Sequence, residues 1–163
     1  MIFSIVIPAY NEEEAIASIV ERCLAQQASI LEKTPIDEVE IIVVSDGSVD
    51  RTGEIAGQYE PDIRLVAYEK NRGYGAALKC GFETAKGDLV SFLDADGTCD
   101  PAYFIPMIND CFNNDADIVI GSRMTPTSRM PRTRKIGNTI FRTIINILGD
   151  ARITDCASGM RVI

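Results

Sequence analysis

Short runs of apolar, often β-branched residues alternate along the chain with stretches whose apolar residues recur at helical spacing. The apolar runs predict five strands, at 3–7, 40–44, 63–67, 89–93 and 118–120. Several of them are apolar almost without interruption, which is typical of parallel strands covered on both faces. The amphipathic stretches predict five helices, at 13–27, 52–59, 74–85, 103–112 and 136–148.

This alternation predicts an α/β fold with an open, mostly parallel twisted sheet and helices on both faces. The length of 163 residues suits a single domain, 1–163. Asn11 is placed to cap the first helix, with glutamates in its first turn, and Asp50 is placed to cap the second. The helix at 136–148 is predicted to pack in the core or against a partner, because it lacks the lysine-rich face of a membrane-surface helix.

Polar residues gather where the predicted strands end, and ligands bind at that edge of an open parallel sheet. The clusters are Pro8-Ala9-Tyr10-Asn11-Glu12, Ser45-Asp46-Gly47-Ser48, Asp94-Ala95-Asp96-Gly97 and Gly121-Ser122-Arg123. Each cluster alone has a structural explanation as a turn or a helix cap. Four of them on one edge of one sheet predict a binding site.

Asp94 and Asp96 are the centre of the predicted chemistry. Two carboxylates two residues apart, as the chain leaves a strand, can turn toward one side. Such oxygen ligands suit Mg²⁺ or Mn²⁺, which also take a substrate's phosphates as ligands. The alternative is a simple turn in which one carboxylate bonds to its own backbone and the other is solvated.

A glycine-containing segment, 70–77, leads from the third predicted strand into a helix. Gly73 and Gly75 would let the backbone approach an anion, and the helix start supplies N–H donors. The segment is not a P-loop, because the pattern Gly-x-x-x-x-Gly-Lys-Ser/Thr is missing. No GxGxxG pattern follows the first strand either, which weakens a dinucleotide-binding interpretation.

The amino-acid composition excludes several kinds of catalytic and metal site. The chain contains no histidine, which excludes a Ser/His/Asp relay, a Cys/His pair and a histidine metal site. Its five cysteines form no CxxC pair and indicate a reduced chain.

The charge is unevenly distributed along the chain. Residues 1–122 hold 8 basic and 22 acidic side chains, whereas 123–163 hold 8 basic and 2 acidic ones. The basic part predicts a small phosphate or an anionic membrane surface as partner rather than nucleic acid, with a merely solvated face as the alternative.

Several motifs together resemble a known family. Ser4-Ile-Val-Ile-Pro-Ala-Tyr-Asn-Glu12, Val44-Ser-Asp-Gly-Ser48 and Asp94-Ala-Asp96 are similar to the family-two inverting glycosyltransferases of the GT-A fold. The dolichyl- or polyprenyl-phosphate sugar transferases are indicated by Asn71-Arg-Gly-Tyr-Gly-Ala-Ala-Leu78, Gly121-Ser-Arg123 and Asp155-Cys-Ala-Ser-Gly-Met-Arg161. The resemblance runs from Ser4 to Arg161 and implies a Rossmann-like nucleotide-binding part, 1–122, and a basic acceptor-side part, 123–163.

The resemblance also implies roles for individual residues. The donor nucleotide would be bound by Pro8, Ala9, Tyr10, Glu12, Asp46, Asn71, Gly73, Asp94 and Ala95. The divalent ion, Mg²⁺ or Mn²⁺, would be held by Asp94 and Asp96. The acceptor would be bound by Arg123, Arg134, Asn138, Ser158 and Arg161. The catalytic group would comprise Asp96, Arg123, Arg134 and Asp155.

The chain departs from relatives at three positions. Ser45 stands where many relatives have an aspartate, Thr98 where some have a metal-binding glutamine, and Asn138 where some have a serine. Relatives also continue beyond the motif that ends at Arg161, often with membrane spans. We therefore expect that the chain is truncated at its C-terminus. The full-length protein is expected to be cytoplasmic and to work at the inner face of a membrane. A homo-oligomer is a further open alternative.

The expected reaction is inverting transfer of a hexose from a UDP- or GDP-linked sugar to a polyprenyl phosphate. That acceptor is largely ionised at neutral pH, since its second pKa is near 6, so it needs orientation by arginines rather than a base. A sugar hydroxyl as acceptor would need a general base, for which Asp155 is the candidate. Two alternatives stay open: an enzyme of the same fold that extends a saccharide, and a non-catalytic nucleotide-binding module.

Overall fold

The computed structural model describes residues 1–122, 132–149, 153–156 and 158–163, apart from the side chains of 132–135. Strands and helices alternate in it as the sequence predicts. The strands are β1 (Ile2–Ala9), β2 (Glu38–Asp46), β3 (Arg64–Tyr68), β4 (Leu89–Leu93), β5 (Val119–Ile120) and β6 (Met160–Val162). The helices are α1 (Ile16–Lys33), α2 (Thr52–Gly57), α3 (Tyr74–Thr84), α4 (Phe104–Asn114) and α5 (Arg132–Leu148).

The strands form one six-stranded sheet in the order β3-β2-β1-β4-β6-β5. The first four strands pair with one another in parallel, which confirms the predicted mostly parallel sheet. β6 is antiparallel to both β4 and β5, between which it lies. The sequence analysis did not predict this strand, because three residues are too few to show a periodicity of their own.

The central strand β1 has a different helix layer on each of its faces. Phe3 and Ile7 point into the larger core, which α1, α2 and α4 cover. Val6 points the opposite way, into a smaller core shared with Ile42 of β2 and Ala77 of α3. These side chains are all almost completely buried. The predicted covering of both faces is therefore confirmed, and it explains why the strands are apolar almost throughout.

The first two helices differ in whether a side chain supports their first turn. α1 begins at Ile16, later than predicted, and no side chain caps its first turn. The prediction that Asn11 caps this helix is wrong, because Asn11 has a φ of 55° and belongs to the preceding loop. Asp50 does support α2, since its Oδ1 accepts the N–H of Thr52 at 3.0 Å.

The apolar face of α5 is largely exposed in the described part of the chain. Ile147 and Leu148 are 74% and 82% exposed, and Ile136, Ile140 and Phe141 are more than half exposed. The prediction that this helix packs in the core is therefore wrong, whereas a partner interface stays a prediction. Among the described residues, no helix combines the length and the apolar character that crossing a membrane requires.

The contact between α3 and β1 gives a first testable prediction. A Cβ on Gly81 would lie 2.2 Å from Cγ1 of Val6, a stiff, buried side chain. We expect Gly81→Ala to lower the free energy of unfolding by about 1–3 kcal/mol, the usual cost of overpacking a core. Urea denaturation measures this change.

Gly75→Ala is the matched control on the same helix, because nothing lies within 4 Å of the added Cβ. We expect it to leave the free energy of unfolding unchanged or to raise it by up to about 1 kcal/mol, because alanine favours the helix over glycine. Equal losses in the two variants would contradict the tight α3–β1 contact.

Candidate active site

A cleft of about 480 Å³ opens at the carboxyl ends of β1, β2 and β4. This volume is in the range of small-molecule binding sites. The strand order changes direction here, because β2 and β4 lie on opposite sides of β1. The cleft is lined by Pro8, Ala9, Tyr10, Glu12, Asp46, Asn71, Gly73, Tyr74, Ala77, Asp94, Ala95 and Asp96. All the residues predicted to bind the donor nucleotide or the metal are in this set.

The loop after β1 is tied to the loop after β2. The N–H of Asn11 donates to Oγ of Ser48 at 3.1 Å, and Oδ1 of Asn11 accepts the N–H of Val49 at 2.9 Å. The N–H of Glu12 donates to Oγ1 of Thr52 at 2.8 Å. These bonds explain the left-handed backbone of Asn11, and they fix the segment that brings Tyr10 and Glu12 to the cleft.

Asp46, at the end of β2, organises the opposite wall. Its side chain is only 2% exposed. Oδ1 accepts the N–H of Arg72 at 2.9 Å and Oδ2 accepts the N–H of Gly73 at 2.8 Å. The side-chain amide of Asn71 donates to the carbonyl of Asp46 at 3.1 Å. The buried carboxylate therefore holds the chain at the point where α3 begins.

Gly47 allows this close approach. Its φ is 68°, and a Cβ there would lie 2.2 Å from the backbone nitrogen of Asn71. Any other residue would clash with the backbone rather than with a side chain that could move. The Asp-Gly pair after β2 thus has a packing reason in addition to its turn geometry.

Asp94 and Asp96 follow β4 and differ in their surroundings. Asp94 is partly buried, and its Oδ1 accepts the hydroxyl of Tyr74 at 2.6 Å. Asp96 is exposed, and its Oδ1 accepts both the N–H and the hydroxyl of Thr98, at 2.9 and 2.8 Å. The guanidinium of Arg22 on α1 donates to the carbonyls of Gly97 and Cys99 at 3.1 and 2.9 Å, so it holds the loop that carries Asp96.

The two aspartates form an open rather than an enclosed donor set for a metal. In the part of the chain that the structure describes, no three histidine, cysteine, aspartate or glutamate side chains are arranged to hold an ion together. Mg²⁺ is usually bound by only one or two carboxylates and completes its shell with water and substrate phosphates. Asp94 and Asp96 therefore fit an ion that arrives with a diphosphate.

The cleft changes the proton affinity of two of its side chains. Burial, followed by the negative charges of Asp96, Asp50 and Asp94, raises the pKa of Glu12 above its ordinary value of 4.5. Burial, together with the hydrogen bond to Asp94, raises the pKa of Tyr74 far above its ordinary value of 10.0. The phenol of Tyr74 thus keeps its proton at neutral pH, and its hydroxyl donates a hydrogen bond to Asp94.

Asn138 and Ser158 of the predicted acceptor set, and Asp155 of the predicted catalytic group, are buried and do not line the cleft. Asp155 is completely buried, and its Oδ1 accepts the amide of Asn138 at 2.6 Å. Oδ1 of Asn138 accepts the N–H of Cys156 at 3.1 Å. The hydroxyl of Ser158 donates to the carbonyl of Gly121 at 2.6 Å. These contacts hold the segment before β6 against α5 and the end of β5.

Arg161 is the remaining described residue of the predicted acceptor set. Its Nη2 donates to the carbonyl of Cys156 at 3.0 Å, and its guanidinium lies 5.8 Å from the centre of the Phe92 ring. Its Nε is buried and has no hydrogen-bond partner among the described residues. Arg123 lies outside the described residues, as does the side chain of Arg134.

Two residues that the sequence analysis did not select contact Asp94. Tyr74 lies within the glycine-containing segment and the motif Asn71–Leu78, but the sequence analysis assigned it no role in the site. Gly159 packs against the other side of the carboxylate, since a Cβ on it would lie 2.2 Å from Oδ2 of Asp94. Gly159 belongs to the motif that ends at Arg161, but the sequence analysis assigned it no role, because the unpredicted strand β6 brings it to Asp94.

Asp46→Asn tests the organisation of the cleft wall. Asparagine has one acceptor oxygen, so one of the two N–H groups of Arg72 and Gly73 would face an NH₂ group. We expect the free energy of unfolding to fall by about 1–3 kcal/mol, the cost of an unsatisfied buried donor. Urea denaturation measures this, and hydrogen exchange at the two amides should become faster. Asp117→Asn, at an exposed position, is the control; an equal loss there would contradict the role of Asp46.

Glu12→Gln tests the electrostatics of the cleft. With its raised pKa, folded Glu12 keeps its proton to higher pH than unfolded Glu12 does, so the free energy of unfolding falls as the pH rises through this window. We expect the variant to be more stable than the wild type at pH 7, and the difference to vanish below pH 4.5. Thermal unfolding at both pH values checks this, with Glu14→Gln on the exposed part of the loop as control. A pH-independent difference would contradict it.

Solved structures of two proteins share this fold. Glucosyl-3-phosphoglycerate synthase from Mycobacterium tuberculosis, crystallised with Mn²⁺, uridine diphosphate and phosphoglyceric acid, aligns over 98% of this chain and 54% of its own, with a TM-score of 0.70 and 22% identity. TarS 1-349 from S. aureus in complex with UDP-GlcNAc aligns over 80% of this chain and 37% of its own, with a TM-score of 0.58 and 24% identity. The fold is the α/β fold of GT-A glycosyltransferases.

Curated relatives are more similar in sequence. The chain is 33% identical to the low-salt glycan biosynthesis hexosyltransferase Agl6 of Haloferax volcanii, over 98% of this chain and 37% of the relative. It is 35% identical to the dolichyl-phosphate beta-glucosyltransferase of Drosophila melanogaster, over 87% and 45%. It is 32% identical to the dodecaprenyl-phosphate galacturonate synthase of Rhizobium johnstonii, over 98% and 46%. The chain thus spans less than half the length of these relatives. Residues 4–163 match Glycosyl transferase family 2, and the chain belongs to this family.

Proposed function

We propose that this chain is the catalytic part of a glycosyltransferase that moves a hexose from a nucleoside diphosphate sugar to a polyprenyl phosphate, with inversion and with Mg²⁺ or Mn²⁺. Within it, 1–122 bind the donor and the basic part, 123–163, serves the acceptor. The observation that carries the proposal is the convergence of Asp46, Asp94 and Asp96 on one cleft at the sheet's change of direction.

The donor side is supported by the walls of the cleft. Pro8 and Ala9 give it an apolar wall at the end of β1, and Asn71 and Gly73 line it beside the start of α3. A flat nucleoside base suits such a wall, and the polar edge opposite it can accept or donate hydrogen bonds. UDP and UDP-GlcNAc are bound by neighbours of the same fold.

The cation is supported by the donor set. Asp94 and Asp96 would hold Mg²⁺ or Mn²⁺ together with the diphosphate, and each has a carboxylate oxygen left over from the hydrogen bonds to Tyr74 and Thr98. Such an ion stabilises the negative charge that develops on the leaving diphosphate. Mn²⁺ is present in the synthase structure of the same fold.

The acceptor is assigned from chemistry and from the relatives' names. Asp155, the predicted general base for a hydroxyl acceptor, is completely buried and bonded to Asn138. A phosphate monoester needs no base, since it is ionised at neutral pH. Arginines such as Arg123 and Arg134 would bind it in a forked geometry. Two relatives are named for lipid phosphate acceptors, dolichyl and dodecaprenyl. Such an acceptor also implies a membrane surface as partner.

The test is transfer from a panel of UDP- and GDP-linked hexoses to a short polyprenyl phosphate. We expect one donor to give a sugar-lipid product with Mn²⁺ and none with chelator, and Asp96→Asn to lower the rate by roughly 10²–10³-fold, as other electrostatic transition-state contacts do. Product formation is followed by chromatography, and donor binding by calorimetry with Mn²⁺.

Asp117→Asn, a carboxylate outside the cleft, is the matched control and should keep the wild-type rate. Transfer to a free saccharide but not to the lipid would replace the proposal by saccharide extension. Donor binding without turnover on any acceptor would favour the alternative of a non-catalytic nucleotide-binding module. Mn²⁺-independent binding that Asp96→Asn does not change would remove Asp96 from the metal site.

A further inference from the structure

The carboxylate of Asp94 is held from two sides by residues outside its own strand. The hydroxyl of Tyr74, the first residue of α3, donates to Oδ1 at 2.6 Å. On the other side, the backbone of Gly159 lies so close to Oδ2 that a Cβ there would be 2.2 Å away. A free aspartate turns easily about its last side-chain bond, because that torsion has a broad energy profile. In this cleft the direct bond and the close backbone restrict it.

Tyr74 is itself fixed by a carboxylate. The preceding Gly73 has a φ of 92°, and its N–H donates to Oδ2 of Asp46 at 2.8 Å. The N–H of Arg72 donates to the other oxygen of Asp46 at 2.9 Å. A continuous path therefore runs from Asp46 at the end of β2, through the start of α3, to Asp94 after β4. It joins the two parallel strands that flank β1.

We infer that Tyr74 is a positioning residue, whose hydroxyl orients Asp94 toward the cation of the donor diphosphate. The inference rests on the proposed function, because it assumes that Asp94 is a metal ligand. An ionised carboxylate has about four lone-pair positions, so one bond from Tyr74 leaves room for the ion. Hydrogen-bonded partners of metal ligands fix the ligand's direction, and their removal typically costs 10–100-fold in metal affinity or activity.

The test is Mn²⁺ binding by Tyr74→Phe in the presence of saturating UDP, followed by the electron paramagnetic resonance signal of free Mn²⁺. The substitution removes only the hydroxyl and keeps the ring. We expect the Kd for Mn²⁺ to rise about 10–100-fold. The Kd for UDP without metal should change less than about twofold, since the nucleotide would not contact this hydroxyl.

Tyr59→Phe is the matched control, because the hydroxyl of Tyr59 also donates to a carboxylate, Glu21, at 2.9 Å but outside the cleft. It should leave Mn²⁺ binding unchanged. Thermal unfolding of all variants separates a loss of metal affinity from a loss of structure. If Tyr74 served stability alone, Tyr74→Phe would have a lower melting temperature. Its Mn²⁺ binding, measured about 10 °C below that melting temperature, would equal that of the wild type.

The outcomes separate this inference from the proposed function. If wild-type protein binds no Mn²⁺ with UDP, the proposed metal site fails. If the wild type binds and Asp96→Asn does not, but Tyr74→Phe binds as tightly as the wild type, only the role of Tyr74 is overturned. Tighter binding by Tyr74→Phe also overturns it, because the hydroxyl would then compete with the ion.

Discussion

The structure depends on the change of direction in the sheet between β1 and β4. β2 and β3 extend the sheet on one side of β1, and β4 begins the other side. α1 and α4, which follow β1 and β4, both cover the larger core, whereas α3, which connects β3 to β4, covers the opposite face. The cleft lies outside the carboxyl ends of the strands at this change of direction. Because the strands are parallel, everything that follows β1, β2 and β4 emerges at the same edge. The grouping of polar residues in the cleft is a consequence of this topology.

Most hydrogen bonds made by polar side chains around the cleft hold loops in place. Asp46 binds the backbone before α3, Arg22 binds the backbone after Asp96, and Asn11 binds the loop after β2. Each of these bonds joins residues distant in sequence, so the loops are fixed relative to one another as well as to the sheet. Loops that carry a binding site must be ordered before the ligand arrives if binding is not to cost their conformational entropy.

The sequence predicted the part of the site that follows from local patterns. Asp46, Asp94 and Asp96 come directly after apolar runs, and the parallel arrangement of those runs places them at one edge. The role of Tyr74 could not be predicted in this way, since its contact with Asp94 depends on how α3 packs on β1. Gly159 was missed because β6 inserts between β4 and β5 in the opposite direction.

Sequence-based predictions failed where the role of a residue depends on its surroundings in the fold. Asn11 has the side chain of a helix cap but bonds to a neighbouring loop. The apolar spacing of α5 is that of a core helix, although its apolar face is exposed in the described chain. Asp155 has the chemistry of a base, but its environment is fully buried. In each case the residue type was compatible with several roles, and the tertiary contacts determined which role the residue has.

The described lining of the cleft contains four carboxylates and no lysine or arginine, although the charge of Arg161 acts on Tyr74 beside them. Glu12, Asp46, Asp94 and Asp96 line one space, and the pKa of Glu12 rises, through burial first and then through its acidic neighbours. Such repulsion costs folding free energy at neutral pH, and functional sites commonly retain costs of this kind. A bound divalent cation would turn the repulsion into attraction, but a nucleoside diphosphate alone would add to it. Under the proposed function, the same charges would favour a diphosphate that arrives with its metal over a free diphosphate.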